Sequence, residues 1–305
     1  MPEAPDTPPP ESKDFRRLRE SGAQSGASLA IGSRIGAARD VVARAAVFVG
    51  FTPNRMTVFG FLVTCVAGWC LLKGASHQVP YFYTGDGPVS WWPTWAALLL
   101  LLAGACDMLD GAIARVANMS SKFGAILDST LDRFGDMAIF IGCLLHFVLA
   151  REENLTLLVL VVVALCNSVL ISYVKARAEK IIDDCSVGYW LRGERFAAIL
   201  IGCATGHLIA VIWQLAVLNL LTVWRRLDYA RRAVTCQERG LPPPPHGPEP
   251  GLSGRFQLWR HPRGSIGYDL VTGVNIAFLI AGPWVWPFLY AQSDPLRNAL
   301  AGWVS

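Results

Sequence analysis

The chain has 305 residues, of which 53% are hydrophobic and only 16% charged, and its mean hydropathy is +0.38. That balance excludes an ordinary soluble domain and predicts several membrane spans. The net charge of +4 gives no reason to expect a nucleic-acid partner, so the placement of the basic residues matters more than their sum.

Residues 1–28, rich in Pro, Ser, Glu and Arg, read as a disordered cytoplasmic tail, and no signal-peptide apolar region is visible. Residues 29–232 read as a membrane domain. It opens with an amphipathic stretch, 31–49, where Arg34, Arg39, Asp40 and Arg44 are set among Ile35, Val41, Val42, Val47 and Phe48. A helix lying on the membrane surface fits that pattern. Thr52 and Pro53 then suit a helix cap and first turn, with Asn54 and Thr57 just inside it. Apolar runs follow at about 57–72, 95–117, 123–149, 155–178, 191–205 and 208–224, which predicts six spans, the fifth short and polar at its start. A Gly, Pro and aromatic loop at 80–93 separates the first two, and His207 reads as a loop residue between the last two.

Positive charge sets the orientation. Basic residues crowd the amino-terminal region, the turn holding Arg115 and Lys122, the link from Lys175 to Arg195, and the stretch after Trp224. The alternate loops have few. Both ends of the core are therefore expected in the cytoplasm, in the cytoplasmic membrane. Residues 233–266 read as a Pro/Arg-rich linker, and 267–305 as a hydrophobic segment whose apolar run, 270–289, is a seventh span or an interfacial piece. Pro283 and Pro287 speak against one regular helix there. The eight cysteines form no C-x-x-C pair and read as small buried residues.

The chemistry lies between residues 107 and 132. At about 100° per residue, Asp107, Asp110, Gly111 and Ala114 share one helical stripe, and Asp128 and Asp132 share another with Gly124 before them. The polar break at 118–122 suits a turn, and folding back there brings the acids to one depth. Four carboxylates between apolar segments need a counter-charge. Oxygen ligands without His or Cys suit Mg²⁺, Mn²⁺ or Ca²⁺. Gly111 and Gly124 leave room for a ligand beside the backbone, and Arg115 is placed to meet an anion such as phosphate. Asp136, one turn further, reads as an ion-pair partner.

The pattern Asp107-x2-Asp110-Gly111-x2-Ala114-Arg115-x8-Gly124-x3-Asp128-x3-Asp132 resembles the complete signature of the CDP-alcohol phosphatidyltransferases. The resemblance implies an all-α, six-span bundle preceded by a juxtamembrane amphipathic helix, and a homodimer, for whose packing Gly60, Ala67 and Gly68 offer a small-residue face. It implies a reaction in which an alcohol displaces CMP from CDP-diacylglycerol with the help of two Mg²⁺ or Mn²⁺ ions. By position in the motif, Asp107, Asp110 and Asp128 resemble the metal ligands. Asp132 resembles the base that takes the hydroxyl proton and also meets a metal. Asp107, Asp110, Gly111, Ala114, Arg115 and Gly124 would border the CDP moiety.

For the acceptor, the sequence from Ser172 to Glu179 and the Arg192-x-x-Arg195 pair resemble the bacterial phosphatidylinositol phosphate synthases, which use inositol 1-phosphate. Lys175, Arg195 and Arg226, with Arg192 secondary, would then hold the acceptor phosphate. The loop between the fifth and sixth spans is shorter than in those enzymes, so glycerol 3-phosphate is the alternative acceptor and an unphosphorylated alcohol a further one. Outside this chemistry, the same acids suit a divalent-cation transporter, or a protein that binds lipid without catalysis.

Overall fold

A computed structural model of the chain describes residues 27–75, 77–81, 88–150, 154–188, 190–244, 264–285, 294–297 and 299. The helices are α1 (Ala27–Phe48), α2 (Pro53–Lys73), α3 (Trp92–Val116), α4 (Lys122–Ala150), α5 (Leu155–Ala178), α6 (Arg192–Thr205), α7 (Leu208–Glu238) and α8 (Ile266–Val285). No strand occurs among the described residues. The chain divides into two units, Met1–Gly36 with Pro245–Val274, and Ala37–Pro244 with Asn275–Ser305. In the first, the Ser265 hydroxyl accepts the Tyr268 amide at 3.2 Å and starts α8. The second holds the bundle described below.

Among the described residues five helices, α2, α3, α4, α5 and α7, are long and apolar enough to cross a bilayer, and the protein is an integral membrane protein. The expected fifth span, α6, has only 14 residues. At 1.5 Å per residue it reaches about 21 Å, short of the ~30 Å hydrocarbon core. Three boundaries differ from the sequence reading. The first helix begins at Ala27, inside the stretch read as tail; the rest of that stretch lies outside the described residues. The second span begins at Trp92, because Pro93 suits a first helical turn. α7 continues through Glu238, so the linker cannot start at 233.

The extension of α7 has a physical cause. Beyond Trp224 the apolar run stops, but Tyr229 and Ala233 lie on one stripe and bury against Ala178, Ile182, Cys185 and Val187. The helix ends at Glu238, and Gly240, just beyond the cap at Arg239, turns the chain away with φ +65°. In a separate cluster, Ala43 of α1 packs with Met56, Cys106, Ala112 and Ile113.

The small residues of α2 named above are spent on packing within the chain, not on an outer face. A Cβ on Gly60 would stand 3.0 Å from the Cβ of Cys106, and Gly68 faces the backbone of α4 at Ala138 and Gly142. Ala67 is fully buried. α5 and α7 are joined by the Asn167 amide, which donates to the Ala216 carbonyl at 2.9 Å.

The C-terminal stretch is fastened to the bundle. Gln214 donates to Asn275 at 2.6 Å, and a ring nitrogen of His207 lies 3.0 Å from the Leu279 carbonyl. His207 precedes α7 as expected of a loop residue, yet it is buried. Asp294 caps α5, accepting from the amides of Leu155 (2.6 Å) and Thr156 (3.0 Å) and from the Thr156 hydroxyl (2.5 Å). Of the eight cysteines, Cys70, Cys106, Cys143, Cys185 and Cys203 are buried as expected, whereas Cys166 is exposed.

Candidate active site

The turn at 118–122 returns the chain from α3 into α4, and both helices pack on α2. Asn118 makes it possible, adopting φ +53°, a left-handed conformation that Asn tolerates. The Ser121 hydroxyl then accepts the Gly124 amide at 2.9 Å and starts α4. The stripes read from the sequence thus meet. One carboxylate oxygen each from Asp107, Asp128 and Asp132 lies within 4.8 Å of the others. Asp110 stands outside this group of three. It is only 7% exposed and accepts a 2.8 Å hydrogen bond from the Thr57 hydroxyl of α2.

Arg192, the first residue of α6, reaches into the cluster. Its two terminal nitrogens bridge Asp107 Oδ1 at 2.7 Å and Asp132 Oδ1 at 2.8 Å. Among the described residues Asp128 receives no such partner, and its Oδ1 is buried with no hydrogen bond. Such an oxygen is costly unless something positive meets it. Three oxygen donors at this spacing, one of them unsatisfied, fit a hard divalent cation.

Two cavities flank the acids. The larger, of ≈ 580 Å³, runs between α2, α3, α4 and α6; Gly60, Phe61, Met108, Phe196 and Leu200 give it a mostly apolar wall, and Asp107 and Asp132 stand at it. The smaller, of ≈ 180 Å³, is bounded by Asn54, Gly111, Ala114, Ser121, Gly124 and Asp128. Thr57 and Asp110 belong to both. A methyl group on Gly111 would meet nothing within 4 Å, so the absent side chain leaves open space there. Arg115 is exposed near the end of α3.

The cations expected around an acceptor phosphate are placed differently from one another. Arg195 is 3% exposed; it donates to Asp136 at 3.2 Å and to the Trp190 carbonyl at 3.4 Å. Asp136 also accepts from Ser168 at 3.0 Å, and its ion pair, expected from the sequence, is with Arg195 of α6. Arg226 is equally buried and donates to the carbonyls of Val187 (3.1 Å) and Ile171. Lys175 stands 3.7 Å from Glu179 on its own helix and keeps partial exposure. Arg192, ranked last from the sequence, is the cation that touches the acids. Thr57, Asp136 and Ser168 complete the site. Thr57 had a signal in its place one turn after Pro53; Ser168 had none.

Comparison with known proteins gives a consistent picture. The family model for CDP-alcohol phosphatidyltransferase matches residues 51–225. The chain is 36% identical over 187 residues to the archaetidylinositol phosphate synthase of Methanothermobacter thermautotrophicus, covering 59% of this chain and 84% of that protein. Among solved structures it is similar to the phosphatidylinositol phosphate synthase of Mycobacterium tuberculosis with CDP-DAG bound, with a TM-score of 0.54, 28% identity, and coverage of 63% of this chain and 92% of the other. The same enzyme in complex with manganese and citrate gives a TM-score of 0.52 and 26% identity, with coverage of 63% and 88%.

Proposed function

We propose, for a chain that belongs to the CDP-alcohol phosphatidyltransferase family and is a membrane phosphatidyltransferase, that CDP-diacylglycerol is its donor and inositol 1-phosphate its acceptor. The observation that carries this reading is the acid cluster on the wall between a large, mostly apolar cavity and a smaller, more polar one. The acyl chains of the donor lie along the Phe61 and Phe196 side, and the cytidine diphosphate beside Gly111, Ala114 and Gly124. Arg115 meets its outer phosphate.

Asp107, Asp128 and Asp132, with Asp110 beside them, hold two divalent ions, Mg²⁺ or Mn²⁺. When bound, these supply positive charge that neutralises the diphosphate and stabilises CMP as it leaves. Asp132 takes the proton from the acceptor hydroxyl. The hydroxyl oxygen forms a bond to the lipid-linked phosphorus, and the anhydride bond to CMP breaks. Thr57 holds the Asp110 carboxylate in place. The basic ends of α3, α4 and α5 support a cytoplasmic orientation, with α6 as a short sixth membrane element and α1 at the surface. A homodimer, expected of the family, uses a face other than Gly60 and Gly68.

The acceptor rests on the relatives' names and on Lys175, a part-exposed cation in the last turn of α5. Glycerol 3-phosphate remains the second reading, because Arg195 and Arg226 are occupied by protein groups. The test is CMP release by the purified protein with CDP-diacylglycerol, Mg²⁺ and each acceptor in turn. Release with inositol 1-phosphate alone is expected; release only with glycerol 3-phosphate rejects the acceptor. Asp132→Asn should abolish turnover, and full activity would reject Asp132 as the base.

A further inference from the structure

The Arg192 bridge raises a problem for the reaction just described. Its guanidinium occupies Asp107 Oδ1 and Asp132 Oδ1, which are oxygens of the proposed metal ligands and base. Each carboxylate keeps its Oδ2, but a fixed guanidinium charge this close repels a divalent ion and favours the ionised acid over one that has taken a proton. Yet without any cation, three carboxylates this close repel one another.

The geometry points to Arg192 as a tethered stand-in for the metal, a positioning residue that neutralises the acids until a divalent ion displaces it, and only then releases Asp132 to act as base. This inference rests on the proposed metal site. The exchange needs only a side-chain movement, because the backbone on both sides is pinned. Before Arg192, Arg226 holds the Val187 carbonyl; after it, Arg195 is held by Asp136. There is room for the movement. The Arg192 side chain is 36% exposed, and a Cβ on the adjacent Gly193 would meet nothing within 4 Å. The fork is also attached at the very start of a helix, so no helical turn precedes it to confine its rotamers.

An arginine that merely stiffened the site would support metal binding. A competitor opposes it, and by linkage the opposition is mutual. The two roles therefore predict changes of opposite sign. The experiment is Mn²⁺ binding to the detergent-purified full chain, followed by electron paramagnetic resonance of the free ion, without lipid substrate. Arg192→Gln should bind Mn²⁺ about tenfold more tightly than the natural chain, a typical coupling strength. Arg192→Lys, which keeps the charge but loses the two-pronged geometry, should fall between them.

A second measurement uses the unaltered protein. Phenylglyoxal, which modifies exposed guanidinium groups, should label Arg192 faster with Mn²⁺ present than without it, as read by peptide mass spectrometry. Unchanged or weaker Mn²⁺ binding by Arg192→Gln, or labelling that Mn²⁺ leaves the same or slows, overturns the inference and leaves the metal site standing. No Mn²⁺ binding by either protein overturns both.

Discussion

The crossing of α2 and α4 at Gly68 and Gly142 sets where two of the acids sit, and it can be tested by adding a single methyl group. A Cβ on Gly142 would lie 2.8 Å from both the Cα and the carbonyl oxygen of Gly68, and 3.1 Å from its carbonyl carbon. Ordinary contact begins near 3.4 Å, so the helices must part by about 0.6 Å at that point. Every obstructing atom is backbone, and no rotamer change relieves it. Overpacking of this kind costs ~1–3 kcal/mol, and the immovable neighbours argue for the upper end. Alanine's better helix propensity returns ~1 kcal/mol. A net loss of about 2 kcal/mol follows, or a fall in Tm of roughly 4–8 °C. Cys143 and Cys203 are fully buried, so the labelling that a thiol-reactive dye gains above that of exposed Cys166 reports unfolding in detergent. Activity should fall as well, because α4 carries Asp128 and Asp132. Gly111→Ala is the control, since its methyl group meets nothing. An unchanged Tm for Gly142→Ala, or an equal loss in the control, would refute the argument from close approach.

The control has its own outcome. Gly111→Ala should leave Tm unchanged but raise KM for CDP-diacylglycerol, because its methyl group enters the ≈ 180 Å³ cavity; unaltered kinetics would remove that cavity from the donor site. Arg226→Ala leaves the carbonyls of Ile171 and Val187 without that donor in a buried place, and should cost about 1–3 kcal/mol in thermal stability. Lys175→Ala should instead raise the acceptor KM with Tm preserved, and the reverse pattern would exchange their roles. Burial pushes the Asp294 carboxyl up, but its bonds from Thr156, Arg297 and Leu155 outweigh that and hold it below the usual range. A depressed carboxyl stabilises above its unfolded value, about pH 4, and loses its effect as pH falls through the folded one. Asp294→Ala should therefore speed deuterium exchange at the Leu155 and Thr156 amides at neutral pH, a difference that vanishes at low pH. A difference that persists there would deny the carboxylate its capping role.

Much of this arrangement could be read from the chain because it is governed by local rules. The spacing of Asp107, Asp110, Asp128 and Asp132, together with a polar break, is enough to place acids on facing helices. Which three would gather was not legible. That depends on Thr57, 53 positions before Asp110, taking hold of its carboxylate. The same limit hid the ranking of the arginines. Arg192 and Arg195 are three apart on one helix, yet one meets Asp107 across 85 positions and the other meets Asp136 across 59. Helix-to-helix register decides that, and no periodicity records it. The length of α7 was missed for a related reason. Its apolar run ends where the membrane is expected to end, and the partner that keeps Tyr229 buried is a distant loop.

Thr57 and Asp110 form a partition shared by a large, greasy chamber and a smaller, more polar one. On the proposed reaction the bond that breaks lies at this partition, so the two products depart by separate doors. The new lipid can slide sideways into the bilayer while the spent nucleotide drains toward the aqueous phase, and neither has to wait for the other to clear the way.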